Sequence, residues 1–437
     1  MNNKILAVIV VVALVAVAAG TILMINNDKG PSSDPATGRL WVYGNANNDD
    51  YLDDRDIDYI NSIINGDIEW DKENYPYADT NTDGVIDNKD VELLKKILNK
   101  EECLVYYTQN WAGEYSTSYI HYPITGSIGC NYYQAANMTT LLGIWDRVTA
   151  AESVVTMSYT DKYPNVENLY PLGALGTMET ETVIASGIDV MIAYTNADST
   201  GKQIQKELRD SGSKIDVIAL PIQGYECISA VITMGVLLNC EEAAYKYVDY
   251  CEKIVDYIED RLSSLKSKDY AEYYIIYNPT DPGNLRIQSE NKDNGRVTGD
   301  LSFVKLIPGV NLMPYGESNW YSYRTAEWMI ADDPEYILVS MASTTSNITH
   351  EAAQKKFDTY TEIFKGTGAY DDKNIIGFSF GMMSTYSGCA SLVLLAAAMY
   401  PDLIDEEYGW EVLQEWYDEF TFEEVDVKKV GGAVYGM

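Results

Sequence analysis

EEAAYKYVDYCEKIVDYIEDRLSSL, residues 241–265, is the stretch that decides the fold. Its apolar residues Ala244, Tyr247, Val248, Cys251, Ile254, Val255, Ile258, Leu262 and Leu265 recur every three or four positions. That is the stripe of one amphipathic helix. At 1.5 Å per residue it spans about 38 Å, enough to bridge two lobes. On both sides short apolar runs alternate with helical patterns, as in open α/β sheets. Upstream stand ITGSIGC (124–130), the helical NYYQAANMTTLLGI, a run around Ser153–Met157, IDVMIAYTN (188–196) and IDVIALP (215–221). Downstream come EYYIIYNP (272–279), a helix near Leu301–Leu306, EYILVSM (335–341) and NIIGFSF (374–380). A helix-rich tail closes the chain with SLVLLAAAMYPDLI (391–404) and WEVLQEWYDEF (410–420). The expected fold is α/β: two α/β lobes, 125–222 and 270–437, joined by one long helix within 241–267.

The N-terminal part adds a transmembrane helix, a linker and a small all-α calcium-loop module. ILAVIVVVALVAVAAGTILMI (5–25) carries no charge and is long enough to span a bilayer. Lys4 before it and Asp28 after it place the start in the cytoplasm and the rest outside. The expectation is a signal anchor over 1–26, with processing near Ala16–Gly20 as the alternative. NDKGPSSDPATGR (27–39) is a polar linker. The module, 40–102, holds an internal repeat: NANNDDYLDDRDIDYI begins at Asn45 and DTNTDGVIDNKDVELL at Asp79, 34 residues later. Each is a twelve-residue loop running into one amphipathic helix.

A loop offering oxygens at positions 1, 3, 5, 7, 9 and 12 wraps six or more hard ligands around calcium. In the second loop these are Asp79, Asn81, Asp83, the Val85 carbonyl, Asp87 and Asp90, with Gly84 at the sharp turn. In the first they are Asn45, Asn47, Asp49, the Tyr51 carbonyl, Asp53 and Asp56. The neutral Asn45 in first place and Asp50 at the turn make this the weaker site. The duplicated loop with one helix, ending in Asp, resembles the dockerin type I module. The resemblance implies Ca2+ as cofactor and a possible cohesin-like partner chosen by Asp54-Arg55 and Asn88-Lys89.

The net charge is −35 over 437 residues, which disfavours nucleic acid as a partner. Six cysteines lack any CxxC spacing, so free buried thiols are expected, with one or two disulfides as the alternative. Two histidines, His121 and His350, are too few for sites that capture bare zinc or manganese. No Ser-His-Asp order, phosphate loop or HExxH is present, so neither an enzyme nor a redox cofactor is expected. Asn137-Met-Thr and Asn347-Ile-Thr permit glycosylation.

Two α/β lobes on one helix resemble the solute-binding proteins of ABC importers for iron complexes and vitamin B12. Residues 158–194, RTAEWMIADDPEYILV (324–339) and the MYPDLIDEEYGWEVLQEWYDEF tail carry local likeness to that family. The resemblance implies an extracellular, membrane-held protein that captures an iron–siderophore, haem or corrinoid and passes it to a permease and its ATPase. Ligands then lie at the carboxyl ends of the strands. That places Cys130, Asn131, Tyr132, Tyr159, Gly173, Ala174, Leu175, Gly176, Thr195 and Asn196 on one wall. Arg286, Arg296, Arg324, Phe380, Met383 and Tyr386 take the other, the arginines suiting anionic chelates. Glu181 and Glu327 match in the two lobes, and the resemblance implies that they dock on the permease. The acidic export pattern without a lipid-accepting cysteine fits an archaeal cell surface. The rival readings are a dockerin-bearing carbohydrate-active enzyme and a surface adhesion or scaffold protein; a barrel or solenoid would favour them.

Overall fold

A computed structural model describes residues 39–158, 162–195, 200–291, 297–316 and 320–436. The anchor expected at 5–25 and nearly all of the linker lie outside these residues, as do Tyr159, Asn196 and Arg296. Among the described residues no helix is long and apolar enough to cross a membrane. The chain divides into two units. One takes everything up to Asn110 with Tyr115–Gly126 and Ser229–Ala244; the other takes Trp111–Glu114, Ser127–Ile228 and Tyr245–Met437.

In the first unit, α1 (Asp54–Ile64) and α2 (Asn88–Leu98) follow the two acidic loops. Both start with the same device. Asp53 accepts from the Arg55 amide while Asp56 accepts from the Asp53 amide, and Asp87 and Asp90 repeat this one for one. Such reciprocal capping satisfies donors that the first helical turn leaves unpaired. The helix stripes then meet, with Tyr59, Ile60, Val91 and Leu94 packed on Ala46, Tyr75 and Ala78. Beyond the loops and helices, β1 (Cys103–Trp111) and β2 (Glu114–Tyr122) pair as a two-stranded sheet. The first unit therefore extends past the all-α module of 40–102.

The second unit carries both α/β lobes. Its first lobe runs β3 (Ile128–Cys130), α3 (Tyr133–Leu141), β4 (Val148–Ala151), α4 (Ser153–Ser158), β5 (Tyr170–Pro171), α5 (Thr180–Ser186), β6 (Val190–Ile192), α6 (Thr200–Asp210) and β7 (Asp216–Ile218). The sheet order is β5-β4-β3-β6-β7, parallel throughout. Crossover helices cover it, and Val183, Ile204 and Leu208 pack with Met191 and Val217. A Cβ on Gly129 of β3 would stand 2.5 Å from Ile188 Cδ1, so a larger residue there would have to displace the Ile188 side chain.

Two helices follow in the chain, α7 (Cys227–Leu238), most of which belongs to the first unit, and α8 (Glu241–Leu262), which lies in the second from Tyr245 onward. The second is the long helix of the opening stretch; it spans 22 residues, ending three residues before Leu265. The second lobe runs β8 (Ala271–Tyr277), β9 (Leu285–Gln288), α9 (Gly299–Val304), β10 (Gly309–Asn311), β11 (Tyr321–Arg324), α10 (Ala326–Asp332), β12 (Tyr336–Met341), α11 (His350–Thr361), α12 (Gly368–Asp371) and β13 (Ile375–Ser379). It closes with α13 (Phe380–Met383), α14 (Gly388–Met399), α15 (Glu406–Phe420) and β14 (Val434–Gly436). Strands β8, β12 and β13 are parallel, while β9 and β14 join as antiparallel neighbours and β11 runs antiparallel to β9. Both sheets are open; neither is a barrel or a solenoid.

Among the described residues, ties between these parts include contacts along α8 and after β7. Along α8, Tyr250 Oη donates to the Val412 carbonyl at 2.8 Å and Tyr247 Oη to the Tyr386 carbonyl at 2.8 Å. Both tyrosines contact Trp416 and Phe420. The exposed Lys253–Glu415 pair at 2.6 Å adds little, about 0.2–1 kcal/mol at such sites. After β7, the Gly224 amide donates to the Ser384 carbonyl at 3.0 Å and the Tyr225 amide to Ser302 Oγ at 2.9 Å. A Cβ at Gly299 would stand 2.3 Å from the Ser384 carbonyl oxygen, so glycine is what permits this approach. All six cysteines are free.

Candidate functional site

Between the two lobes of the second unit lies a cavity of about 360 Å³. The first lobe supplies Tyr133, Asn137 and Thr140 from α3, then Lys162 and Tyr163. The second supplies Tyr277 at the end of β8, the loop after β12, Phe380 and Met382, and a wall of α15 and its exit from Trp416 to Glu423. The volume falls within the usual range for small-ligand sites, as does the mix of rings and a few polar groups.

Each wall is braced from behind. Tyr163 stacks on Trp145 with centroids 4.7 Å apart and donates to Asn137 Oδ1 at 2.5 Å. Trp416 stacks on Phe420 at 5.4 Å. Tyr277 meets Phe380 edge-on at 5.1 Å. On Tyr277's other side, Arg286 lies with its guanidinium 4.9 Å from that ring and 4.5 Å from Tyr321. Arg286 Nε is buried without a hydrogen-bond partner. Behind them Asp300, fully buried, accepts from Gln288 Nε2 and Ser340 Oγ, both at 2.6 Å. Burial pushes its carboxyl above the usual range, against the pull of those bonds.

One polar bridge crosses the cavity. Lys162 Nζ sits 3.3 Å from Glu423 Oε1 and 3.4 Å from Ser346 Oγ, and Ser346 Oγ donates to Glu423 at 2.5 Å. Lys162 comes from the first lobe and both partners from the second.

Of the residues expected at the ligand, Phe380 lines this cavity, and Arg286 lies against the Tyr277 ring without lining it. Others serve the framework beneath it. Cys130 is buried on β3, its thiol pushed up to about 12 by burial. Asn131 is buried and accepts from the Tyr194 amide at 2.9 Å, tying the ends of β3 and β6. Tyr132 precedes α3 with its ring against Tyr133 and Tyr194. Thr195 is buried and donates to the Leu220 carbonyl. Gly173, Ala174, Leu175 and Gly176 form the turn into α5, with Gly173 at φ 90°. Glu152, overlooked in the sequence, holds this turn by accepting from the Leu175 amide at 3.1 Å. Arg324 lies 5.2 Å from the Trp328 ring and donates to the Tyr323 carbonyl. Met383 and Tyr386 are buried. Tyr133, Asn137, Lys162, Trp416 and Tyr417 are wall residues that the pattern of the chain does not single out. Asn137 and the exposed Asn347 both belong to the cavity wall, so a glycan on either sequon would encroach on the space.

Glu181 and Glu327 are exposed, each at the second position of a seven-residue helix. Glu327 is held below the usual carboxylate range by its own backbone amide and by Thr325.

The acidic loops offer hard oxygens, the donor type calcium takes. In the second loop Asp79 accepts from the Asp83 and Gly84 amides, and buried Asp90 accepts from those of Asn81 and Asp87. Each loop also carries one cation on its carboxylates: Arg55 lies on Asp53 at 2.8 Å and Asp49 at 3.2 Å, and Lys89 on Asp87 at 3.3 Å and Asp83 at 3.7 Å. Asn45 turns its amide nitrogen to the Leu40 and Asp49 carbonyls, leaving Oδ1 buried without a partner. Among the described residues no three Asp, Glu, His or Cys side chains converge as a metal cluster.

No protein-family model and no curated protein matches the chain. Among solved structures, the TroA-like periplasmic binding protein FepB from Veillonella parvula aligns over 72% of this chain and 95% of its own, with a TM-score of 0.58 and 15% identity. The molybdate periplasmic binding protein MolA of a Haemophilus influenzae ABC transporter, solved with molybdate, aligns over 70% of this chain and 97% of its own, with a TM-score of 0.50 and 13% identity. At such identities the likeness speaks for fold alone: a mixed α/β fold like that of periplasmic binding proteins.

Proposed function

We propose that the chain is the solute-binding component of an ABC importer, held at the outer face of the cell membrane, and that it makes and breaks no bonds. The observation that carries this is the cavity itself: one space with walls from two α/β lobes, braced by rings on both sides. Such a space suits capture of a small ligand, and release to a permease with its ATPase is the use proposed for it. The ties along α8 and at Gly224 support small lobe movement. The ligand proposed is an iron complex, haem or corrinoid. An aromatic lining favours a flat ligand body; Arg286, beside Tyr277 but outside the lining, is proposed to favour an anionic group on it by its charge alone. Glu181 and Glu327 are proposed to meet basic side chains of the permease.

The acidic loops are proposed to bind calcium, more tightly at Asp79–Asp90 than at Asn45–Asp56, where the first ligand is the neutral Asn45 and Asp50 stands at the turn. No observation favours a cohesin-like partner. Native mass spectrometry of the extracellular part, with ferric chelates, haem and cobalamin offered separately, tests the ligand reading. One of them binding in a 1:1 complex is the expected result; no complex with any of the three would count against it.

A further inference from the structure

The helices α5 and α10 are copies of one another in more than their glutamates. Each is seven residues long, with Glu181 or Glu327 at its second position. Each is ended by a residue in the left-handed region, Gly187 at φ 69° and Asp333 at φ 52°. In each, the next strand begins nine residues after the glutamate, at Val190 and at Tyr336. Three residues after each glutamate stands an isoleucine that the fold leaves outside: Ile184 is 47% exposed and Ile330 38%. Positions three apart share one helix face. The neighbouring apolar residues turn inward instead, Val183 and Met329 being fully buried.

A single exposed apolar side chain needs no explanation. The same one, at the same place in both lobes, beside the same carboxylate without an ion-pair partner among the described residues, does. We propose that Ile184 and Ile330 are paired apolar anchors of a two-part docking face whose occupant is the membrane-embedded permease. Its two equivalent halves each present a basic side chain next to an apolar socket. The duplication argues for a partner with two like halves. The carboxylate in each copy, on a chain of net charge −35, argues for a basic one. The carboxylates steer and orient the encounter, and that contribution weakens with salt. The isoleucines add a term that salt does not screen, because it comes from apolar area removed from water. This inference rests on the reading of the chain as an importer's binding protein.

The test is binding of the chain to the permease–ATPase complex of the same cells, reconstituted in lipid nanodiscs, over a salt series. Ile184→Ser and Ile330→Ser are each expected to weaken binding about tenfold at every salt concentration, about 1.4 kcal/mol apiece. Ile→Leu at both positions should retain affinity, and melting temperatures should not move. Glu181→Gln with Glu327→Gln should instead flatten the salt dependence. Isoleucine variants that bind like the wild type while the glutamine variant is impaired would overturn the anchors and leave the importer reading standing. No binding by the wild type, or no effect of any variant, would overturn both.

Discussion

Uptake by cells that carry Glu181→Gln together with Glu327→Gln is expected to fall about a hundredfold or more, with ligand affinity unchanged. Neither side chain lines the cavity, and each sits exposed on a short helix at the entry to a strand. Capture therefore does not need them. Delivery does, if each carboxylate meets a basic group that the interface desolvates. Truncating one partner of such a pair costs about 2–5 kcal/mol, much of it from the charge left buried alone. Two sites lost together would bring transport to background. Isotope uptake of the identified ligand, with calorimetry on the purified variant, separates the two quantities. A fall in affinity would instead place these glutamates at the ligand.

Chelation of calcium is expected to lower the unfolding temperature of the first unit by about 10 °C or more and to leave the second unit's transition in place. Binding at a hundredfold excess over Kd stabilises the bound fold by about 2.7 kcal/mol. For a unit of this size 1 kcal/mol moves the midpoint by about 4–8 °C. The loops are where the effect should enter: Asp56 and Asp90 are both buried at the start of the helices that form this unit's core. Asp90→Asn should reproduce the shift without chelator, and Asp56→Asn should do so less, since the first loop opens on the neutral Asn45 and is expected to bind more weakly. Scanning calorimetry in calcium and in EDTA reads both transitions. An unchanged melt with no calcium retained would remove the metal from the account.

How far the chain could be read depended on what each residue must satisfy locally. The stripe at 241–265 reads as a helix because every third or fourth residue must face a core, and α8 runs Glu241–Leu262. By contrast α7, CISAVITMGVLL, is apolar on all sides, so periodicity offers nothing to mark it. The hairpin of β1 and β2 falls in the gap left between 102 and 125, where tyrosines serve both faces of the strands. Arg286 stood out because cations are scarce. Lys162 did not, since its meaning lies in Glu423, 261 residues away. Trp416 and Tyr417 belong to a closing helix whose buried face is evident from sequence. What that face is buried against is a tertiary fact, and in Trp416's case it is partly a cavity.

The central claim is that the space between the lobes holds the solute, and Trp416 is its natural reporter. Tryptophan fluorescence titrated with the ligand that native mass spectrometry identifies should show saturable quenching at 1:1. Much of that quenching should vanish in Trp416→Phe while the complex still forms. Full quenching retained in the variant, with binding intact, would place the ligand elsewhere and contradict the account.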